Sequence, residues 1–181
     1  MALPRIGTLT SFPALDHPEL LADPVAKALA DWARADEVAV VEIDPDLADT
    51  AAMSEAYELP LSTGANCVVV AGRRDGQERV AACVVRADTR ADVNNLVKRT
   101  LDVRKCSFLS MERAVEESRM EYGGITPIGL PDHWRILVDS QVVEMPVAIV
   151  GSGVRRSKLL ISGDALAALP NAEVVDGLGT P

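Results

Sequence analysis

The residues best suited to hold a ligand lie in one loop, EYGGITPIGLP, which runs from position 121 to 131. Glycine lets the backbone approach a ligand closely, and proline fixes φ and removes a backbone donor. The loop has three glycines and two prolines, namely Gly123, Gly124, Gly129, Pro127 and Pro131. A loop of this kind is stiff and presents its own N–H groups. The same composition is typical of a well-ordered turn between a helix and a strand, so both interpretations stay open.

One carboxylate follows this loop at the end of a short apolar stretch. Residues 136–138 read ILV, and Asp139 comes directly after them. A residue at the end of a strand often faces a ligand amine or hydroxyl. Asp139 followed by Ser140 is equally typical of a turn that the aspartate caps. Asp139 is therefore both a candidate ligand contact and a candidate turn residue.

Basic residues are unevenly distributed in a chain whose net charge is −9. That net charge argues against broad, unspecific coating of nucleic acid, which depends on many phosphate contacts. Nine basic and five acidic residues lie between Arg73 and Lys105, and Arg155, Arg156 and Lys158 form a second cluster. Each cluster is either solvated surface or a face that holds a few phosphates.

The second basic cluster follows Gly151-Ser152-Gly153, which invites comparison with a dinucleotide-binding loop. Arg156 occupies the sixth position of that motif, and the residues after it predict a strand rather than a helix. A hairpin turn between two strands is the interpretation that we favour. A phosphate contact is the function that such a turn would serve.

Neither a metal site nor a cofactor site is indicated. The sequence holds two histidines and lacks a Walker motif, an EF-hand loop and HExxH. Cys67, Cys83 and Cys106 are not spaced as a CxxC pair, and the first two lie in valine-rich runs, where cysteine is usually a small buried apolar residue. We therefore expect no metal, no cofactor and the reduced thiols of a cytoplasmic protein.

The elements that must position these residues are a mixture of hairpins and isolated helices. Runs of β-branched residues predict strands at 38–43, 67–71, 79–85, 105–108, 136–138, 142–150, 159–161 and 173–175. Apolar periodicity predicts helices that begin at Asp23, at Asp46, behind a cap at Thr89, behind a cap at Ser110 and behind a cap at Asp164. Asp75-Gly76 predicts a tight hairpin. Because strands and helices do not alternate regularly, we expect an α+β fold with a mixed, mostly antiparallel, curled sheet flanked by helices.

The chain length of 181 residues fits one domain, and the scarcity of aromatic residues, 3%, predicts an aliphatic core. Residues 1–22 contain three prolines without a clear period, and we expect them to form an N-terminal arm that packs loosely or belongs to an interface. Residues 23–181 would then form the domain. No segment is apolar for long enough to cross a bilayer, and the first residues lack the pattern of a signal peptide, so we expect a cytoplasmic protein without a membrane partner.

Several of these pieces occur in an order known from one family. The segment YGGITPIG from Tyr122 to Gly129, the segment ILVD, the segment VGSG and a leucine-rich helix resemble the YbaK family. That family is similar to the editing domain inserted in bacterial prolyl-tRNA synthetases. The resemblance covers residues 25–178, and its most specific piece is the GxxxP loop from Gly123 to Pro127.

The resemblance implies the fold of that family and a deacylase that acts in trans on the ester between a wrong, small amino acid and the 3′ end of a tRNA. It assigns the surroundings of the ester to the loop residues Gly123, Gly124, Ile125, Thr126 and Pro127. Further substrate contacts would come from Asn66, Asp139, Gly151, Ser152 and Gly153. Candidates to hold tRNA phosphates are Lys105, Arg155, Arg156 and Lys158. A homodimer and an association with a synthetase are the other partners that we consider.

One position departs from the family pattern. The family usually has a lysine two residues before the apolar strand that follows the second helix, and Asn66 occupies that position here. Asparagine forms hydrogen bonds but brings no charge, and Lys105 or Lys158 is the candidate to replace it. The first hypothesis is an editing hydrolase. The second is a protein of the same fold that binds an aminoacyl or nucleotide ligand, or a protein partner, without turnover, and the third is a hydrolase of another small ester.

Overall fold

Two β-sheets built from valine-rich strands form the framework of the protein. The computed structural model describes residues 2–181. Its strands are β1 (Phe12–Pro13), β2 (Ala39–Glu42), β3 (Ala65–Arg74), β4 (Gln77–Arg86), β5 (Arg90–Ala91), β6 (Cys106–Phe108), β7 (Arg135–Asp139), β8 (Ala148–Gly151), β9 (Ser157–Ile161), β10 (Ala172–Val175) and β11 (Gly179–Thr180). Its α-helices are α1 (Asp23–Ala30), α2 (Thr50–Ala56), α3 (Lys98–Leu101), α4 (Met111–Ser118), α5 (Ser140–Val143) and α6 (Gly163–Ala167). A π-helical segment, Val93–Val97, leads into α3.

The larger sheet has the strand order β10-β7-β4-β3-β6, and the smaller sheet has the order β1-β2-β9-β8. Strand β7 runs parallel to both of its neighbours, whereas the other pairs in these two sheets are antiparallel. A single bridge between Gly64 and Ile149 joins the sheets. The expected mixed, mostly antiparallel α+β architecture is confirmed. Strands β5 and β11 form a small additional pair.

The core is aliphatic and occupies both faces of the larger sheet. Between the two sheets, Val84 and Val138 pack in one cluster with Leu159 and Ile161. On the other face, Val70 and Leu137 belong to a cluster with residues of the π-helical segment and α3. Because β4 and β7 are covered on both sides, their sequences read as continuous apolar runs rather than as alternating patterns.

The hairpin predicted at Asp75-Gly76 is confirmed. Both residues have positive φ, 51° and 76°, as the two central residues of a type I′ turn require. The turn joins β3 and β4, whose ten residues each pair in continuous register from Ala65 opposite Arg86 to Arg74 opposite Gln77. The first residues of β3 in this hairpin line the cavity described below.

The predicted strand at 142–150 is wrong in its first half. Residues 140–143 form α5, and only Ala148–Gly151 forms a strand. The chain leaves β7 in the larger sheet and must enter β8 in the smaller one, and the turn of helix makes that change while burying Val142 completely. Tertiary burial therefore overrides the strand propensity of the valines.

Three helix starts also differ from the predictions. Thr89, the residue predicted to cap the third helix, donates a hydrogen bond to the Arg86 carbonyl instead. Asp92 accepts hydrogen bonds from the N–H groups of Asn95 and Leu96 in the π-helical segment. Ser162, rather than Asp164, caps α6 through the N–H of Ala165 at 3.1 Å. The helix predicted from 46 to 59 is divided into a 3₁₀ turn at 45–47 and α2.

The described part of the N-terminal arm is packed onto the domain. Strand β1 pairs with β2, and Ala14, Leu20 and Leu21 contribute to the core between the sheets. The boundary at residue 22 stays a prediction. Among the helices of residues 2–181, none is long and apolar enough to span a membrane.

Candidate functional site

A cavity of about 350 Å³ opens where the two sheets meet, and we call it the ester cavity because the family resemblance assigns the ester to the loop at its rim. The start of β3, from Ala65 to Val68, forms one side, and residues 149–151 of β8 form another. Helix α2 adds Thr50 and Met53, and the glycine-rich loop contributes part of the rim. The cavity lies beside the bridge between Gly64 and Ile149, where the two sheets are in contact.

The glycine-rich loop is fastened to the turn between β8 and β9 by backbone hydrogen bonds. The N–H of Gly153 donates to the Gly124 carbonyl at 2.7 Å, and the N–H of Glu121 donates to the Gly153 carbonyl at 2.8 Å. The N–H of Gly124 closes a turn by donating to the Glu121 carbonyl at 2.9 Å. The turn at Gly151-Ser152-Gly153, which we call the GSG turn, therefore supports the loop from behind.

Two glycines are required for this close contact. A Cβ on Gly151 would lie 2.3 Å from the carbonyl oxygen of Gly124, and a Cβ on Gly124 would lie 2.8 Å from the backbone nitrogen of Val154. Such distances are far inside van der Waals contact, so any side chain at either position would push the loop and the turn apart.

The loop residues divide into two groups. Gly123 and Ile125 line the ester cavity, whereas Gly124, Thr126 and Pro127 are buried and do not line it. Within residues 2–181, the N–H groups of Gly123 and Ile125 donate to no other protein atom. Two backbone donors at a cavity wall can bind an oxygen that carries negative charge.

Lys158 supplies the positive charge of the ester cavity. It lies on β9 opposite Gly151, is 9% exposed, and its Nζ donates to the Gly123 carbonyl at 3.3 Å. In the described part of the chain, no carboxylate forms an ion pair with it. Burial and, to a smaller extent, the Arg155 guanidinium lower the pKa of Lys158, and Asp49 partly offsets this. An ammonium group with one carbonyl partner has N–H bonds left for a ligand.

The other three predicted phosphate contacts are not in this cavity. The N–H of Arg155 donates to a carboxylate oxygen of Glu121 at 2.8 Å, and its guanidinium bonds backbone carbonyls, so Arg155 braces the loop. Arg156 bonds the carbonyl of Glu19 in the N-terminal segment. Lys105 is exposed beside β6 and lines a different cavity.

Only one of the three residues of the GSG turn lines the ester cavity. Gly151 lines the ester cavity, whereas Ser152 and Gly153 are buried and do not. The Ser152 and Ser157 hydroxyl oxygens are 2.7 Å apart, which stabilises the hairpin from inside.

Asn66 also lines the ester cavity. Its Oδ1 accepts a hydrogen bond from the Thr50 hydroxyl at 3.3 Å, which links β3 to α2. The cavity therefore has an amide on its β3 side and an ammonium group, Lys158, on its β9 side.

Asp139 lies outside the ester cavity. Strand β7 is central in the larger sheet, and the C-terminal segment covers its carboxyl end, so Asp139 is 0% exposed. A Cβ on Gly179 would lie 2.6 Å from its Oδ2. Burial raises the pKa of Asp139, and nearby backbone N–H groups, that of Gly179 first, offset part of the rise. None of these N–H groups reaches hydrogen-bond geometry with the carboxylate.

Cys67 lines the ester cavity but is not suited to be a nucleophile. Although the residue is partly exposed, its thiol is surrounded by protein, and burial raises the pKa of Cys67 well above its ordinary value of 9.0. A thiol with a raised pKa stays protonated and unreactive near neutral pH. Among residues 2–181, no three His, Cys, Asp or Glu side chains are grouped to hold a metal ion.

Sequence reasoning missed most of the residues that line the ester cavity, among them Tyr122 and Thr50. Tyr122 lies at its rim with 61% of the residue exposed, and Thr50 reaches it from α2. The position of Tyr122 directly before the two glycines was a usable signal, since an exposed aromatic ring beside a ligand loop can stack on a base. No local pattern marks Thr50, because its contact with Asn66 depends on the packing of α2 against β3.

A family model described as the aminoacyl-tRNA editing domain matches residues 44–169. The matched segment includes α2, the β3–β4 hairpin, the glycine-rich loop and Lys158, and therefore all of the elements that form the ester cavity. None of the curated protein sequences matches this chain.

Solved structures of similar fold include a candidate trans-editing enzyme for prolyl tRNA synthetase, with 20% identity and a TM-score of 0.74 over 88% of this chain and 97% of that one. The hypothetical protein APE2540 has 19% identity and a TM-score of 0.75 over 87% of this chain and 100% of that one. A candidate signal transduction protein from Marinobacter aquaeolei VT8 has 17% identity and a TM-score of 0.57, over 87% of this chain but 30% of its own. At these identities the likeness shows the fold.

Proposed function

This chain belongs to the family of aminoacyl-tRNA editing domains, and from that membership we propose that it deacylates mischarged tRNA in trans. The bond cleaved would be the ester between a small amino acid and the 3′ end of the tRNA. The observation that carries the proposal is the ester cavity, which is lined by Gly123 and Ile125, whose N–H groups have no protein partner within residues 2–181, and by the buried Lys158.

The proposed reaction is the attack of a water molecule on the carbonyl carbon of the ester. The carbonyl oxygen then gains negative charge, which the N–H groups of Gly123 and Ile125 would stabilise because they are fixed in place before the reaction. The bond from the carbonyl carbon to the ribose oxygen breaks, and a proton from the water passes to that oxygen. An ester does not require a strong general base when the water and the carbonyl are held in position.

Lys158 would bind the negative charge of the terminal nucleotide. Its burial makes an unpaired ammonium group costly, and an anionic ligand offsets that cost. This assignment gives Lys158 the role that the family lysine would have at Asn66. It also explains why the basic residue lies deep in the cavity rather than on the surface.

The size and lining of the cavity favour a small amino acid. Met53, Val68 and Ile149 provide apolar walls, and the volume of about 350 Å³ is near the lower end for ligand sites. The aromatic ring of Tyr122 at the rim would then stack against the terminal base. We place the reaction in the cytoplasm, on tRNA that is free or released by a synthetase.

A binding protein without turnover is the second candidate. The observation that favours it is Asn66, which contributes no charge where the family usually has a lysine. In that case the cavity would hold an aminoacyl or nucleotide ligand and release it unchanged.

The two candidates are distinguished by incubating the purified protein with a panel of mischarged tRNAs. We expect at least one aminoacyl-tRNA to lose its amino acid much faster than in buffer, and we expect Gly124→Val to lose that activity because the added side chain would meet the backbone of Val154. Tight binding without faster hydrolysis of any member of the panel would support the second candidate. The absence of both binding and hydrolysis would contradict both candidate functions.

A further inference from the structure

The lining of the ester cavity includes one acidic residue, Asp49, among residues 2–181. Asp49 lies directly before α2, and 76% of its side chain is exposed. The same lining includes one basic residue, Lys158 on β9. The cavity therefore has one side chain of each charge, and the proposed reaction has so far used only the positive one.

The carboxylate of Asp49 makes no close contact within the described part of the protein. Asp49 occupies the N-cap position of α2, but its side chain accepts no hydrogen bond from the helix. Its neighbour of opposite charge is Arg155, whose Nη1 lies 4.0 Å from Oδ1 of Asp49, too far for a hydrogen bond. The Arg155 guanidinium instead bonds the carbonyls of Tyr122 and Pro45. The Asp49 carboxylate can therefore accept hydrogen bonds from a ligand.

The charge around Asp49 favours a cationic ligand group. From Glu42 to Glu58 the chain has six acidic residues and neither lysine nor arginine. The charge of Asp49 also reaches the opposite charge in the cavity, because it partly offsets the lowering of the pKa of Lys158. A second cation that entered the cavity would be attracted to Asp49 and repelled by Lys158.

An aminoacyl nucleotide carries a matching pair of charges. Its phosphate is negative, and its α-amino group is protonated in a large fraction of molecules at neutral pH. The α-amino group is attached to the carbon next to the ester carbonyl, so it must lie in or beside the ester cavity during the reaction. If Lys158 binds the phosphate, Asp49 is the side chain in the lining that can bind the ammonium group.

We propose that Asp49 binds the α-ammonium group of the substrate and thereby selects esters that have a free α-amine. The proposal rests on the proposed function and adds which acids the site accepts. Esters whose nitrogen is acylated, or replaced by a hydroxyl group, would be poor substrates. The selection has a physical basis, because a site built for a charged hydrogen bond rejects a ligand that leaves its polar group without a partner.

A different use of Asp49 would be to accept a proton from the attacking water. A general base of this kind would serve every ester that the cavity holds, whatever the acid carries at its α-carbon. An ammonium contact would serve only the esters that have the amine. Two esters that differ at this one group therefore separate the two roles.

The test uses the alanyl and lactyl esters of the 3′ hydroxyl group of adenosine 5′-phosphate. These esters have nearly the same shape, and an ammonium group in the first is a hydroxyl group in the second. Their hydrolysis is measured with the wild type, with Asp49→Asn and with Asp46→Asn. Asparagine keeps the shape of aspartate and is equally favourable at an N-cap, so Asp49→Asn should fold normally. Asp46 is a matched control because it is exposed and does not line the cavity.

We expect the wild type to prefer the alanyl ester about tenfold in kcat/KM, after each rate is divided by the rate in buffer. This factor lies between the effect of an exposed ion pair and that of a buried charged hydrogen bond. Asp49→Asn should lose the preference through a slower reaction of the alanyl ester, with the lactyl ester unaffected. Asp46→Asn should keep the preference of the wild type.

Two results would overturn the ammonium contact even in an active deacylase. One is an unchanged preference in Asp49→Asn, and the other is an equal loss for both esters, which would instead indicate a general base. If the wild type hydrolyses neither ester, binding of the non-hydrolysable 3′-amides of the same two acids decides the contact. Equal affinity for the two amides, or no binding of either, would overturn it. The panel of mischarged tRNAs tests the proposed function separately.

Discussion

Lys158 and Asp139 are both buried ionisable residues at the ends of central strands, yet their surroundings differ. Lys158, at 9% exposure, lines the ester cavity and has one carbonyl partner. Asp139, at 0% exposure, is covered by the C-terminal segment near Gly179. Burial disfavours the charged form of both side chains, so it lowers the pKa of Lys158 and raises that of Asp139.

The difference shows that burial alone does not identify a functional group. A buried charge that opens onto a cavity can be compensated by a ligand, whereas a buried charge that is sealed by the protein cannot. We therefore propose that Lys158 contacts the substrate and that Asp139 has a structural role. Four changes, described in order of decreasing effect, test this assignment.

Lys158→Met should lower kcat/KM for mischarged tRNA by roughly tenfold to a hundredfold, because a hydrogen bond from a charged group contributes about 1.5–3 kcal/mol. The free energy of unfolding should not fall, because methionine fills similar space and removes a buried charge. Steady-state deacylation and chemical denaturation measure both effects, with Lys27→Met as the exposed control. A wild-type rate in Lys158→Met would show that Lys158 does not contribute to the site.

Asn66→Lys should restore part of the activity of Lys158→Met, because both side chains line the same cavity and a cation from β3 can replace one from β9. In the otherwise wild-type protein, the same change should raise the tRNA affinity several-fold at low salt. Filter binding and single-turnover deacylation detect the gain. If neither the rate nor the binding constant changes in either background, Asn66 does not face the substrate.

The pH dependence of deacylation should follow the amine of Lys158. Its pKa lies below the ordinary value of 10.5, so the charged form, and the binding that depends on it, is lost as the pH rises through that lowered pKa. Lys158→Arg keeps its charge and should give a flatter profile on the alkaline side. The measurement is the rate above that of buffer at each pH, and identical profiles for the two proteins would contradict the assignment.

Asp139→Asn should have the smallest effect on activity, leaving deacylation close to that of the wild type. Because the pKa of Asp139 is raised above its ordinary value of 3.8, its stabilising contribution is complete below that pH and is lost as the pH rises through the raised pKa. The asparagine variant should lack this dependence. Denaturant unfolding across acidic to neutral pH checks it, and a wild type whose stability rises relative to Asp139→Asn in that range would show that the carboxylate is stabilised by ionisation.

Local patterns accounted for much of the fold. Asp75-Gly76 predicted the hairpin because only a few residue types adopt positive φ in succession, and the valine runs predicted β4 and β7 because burial on both faces demands continuous apolar sequence. The helix α5 was not predictable in this way. Its valines favour a strand, and only the transfer of the chain from one sheet to the other requires a helical turn.

The candidate site was predicted less completely than the fold. The glycine-rich loop was a candidate because of its three glycines and two prolines, although the same composition is typical of a well-ordered turn. The placement of Lys158 was not, because β9 is buried throughout and its sequence shows no alternation that would tell which side chain faces a cavity. The burial of Asp139 was not predictable either, since the segment that covers it comes from residues about forty positions later in the chain.

Nuclear magnetic resonance of the labelled protein gives the most direct test of the central claim that Lys158, and not Asp139, faces the substrate. The ligand would be an adenosine that carries an amino acid through a non-hydrolysable 3′-amide. We predict that its binding shifts the Cε and Nζ resonances of Lys158 and leaves the carboxyl resonance of Asp139 unchanged. A shift of the Asp139 carboxyl group with no change at Lys158 would contradict the account.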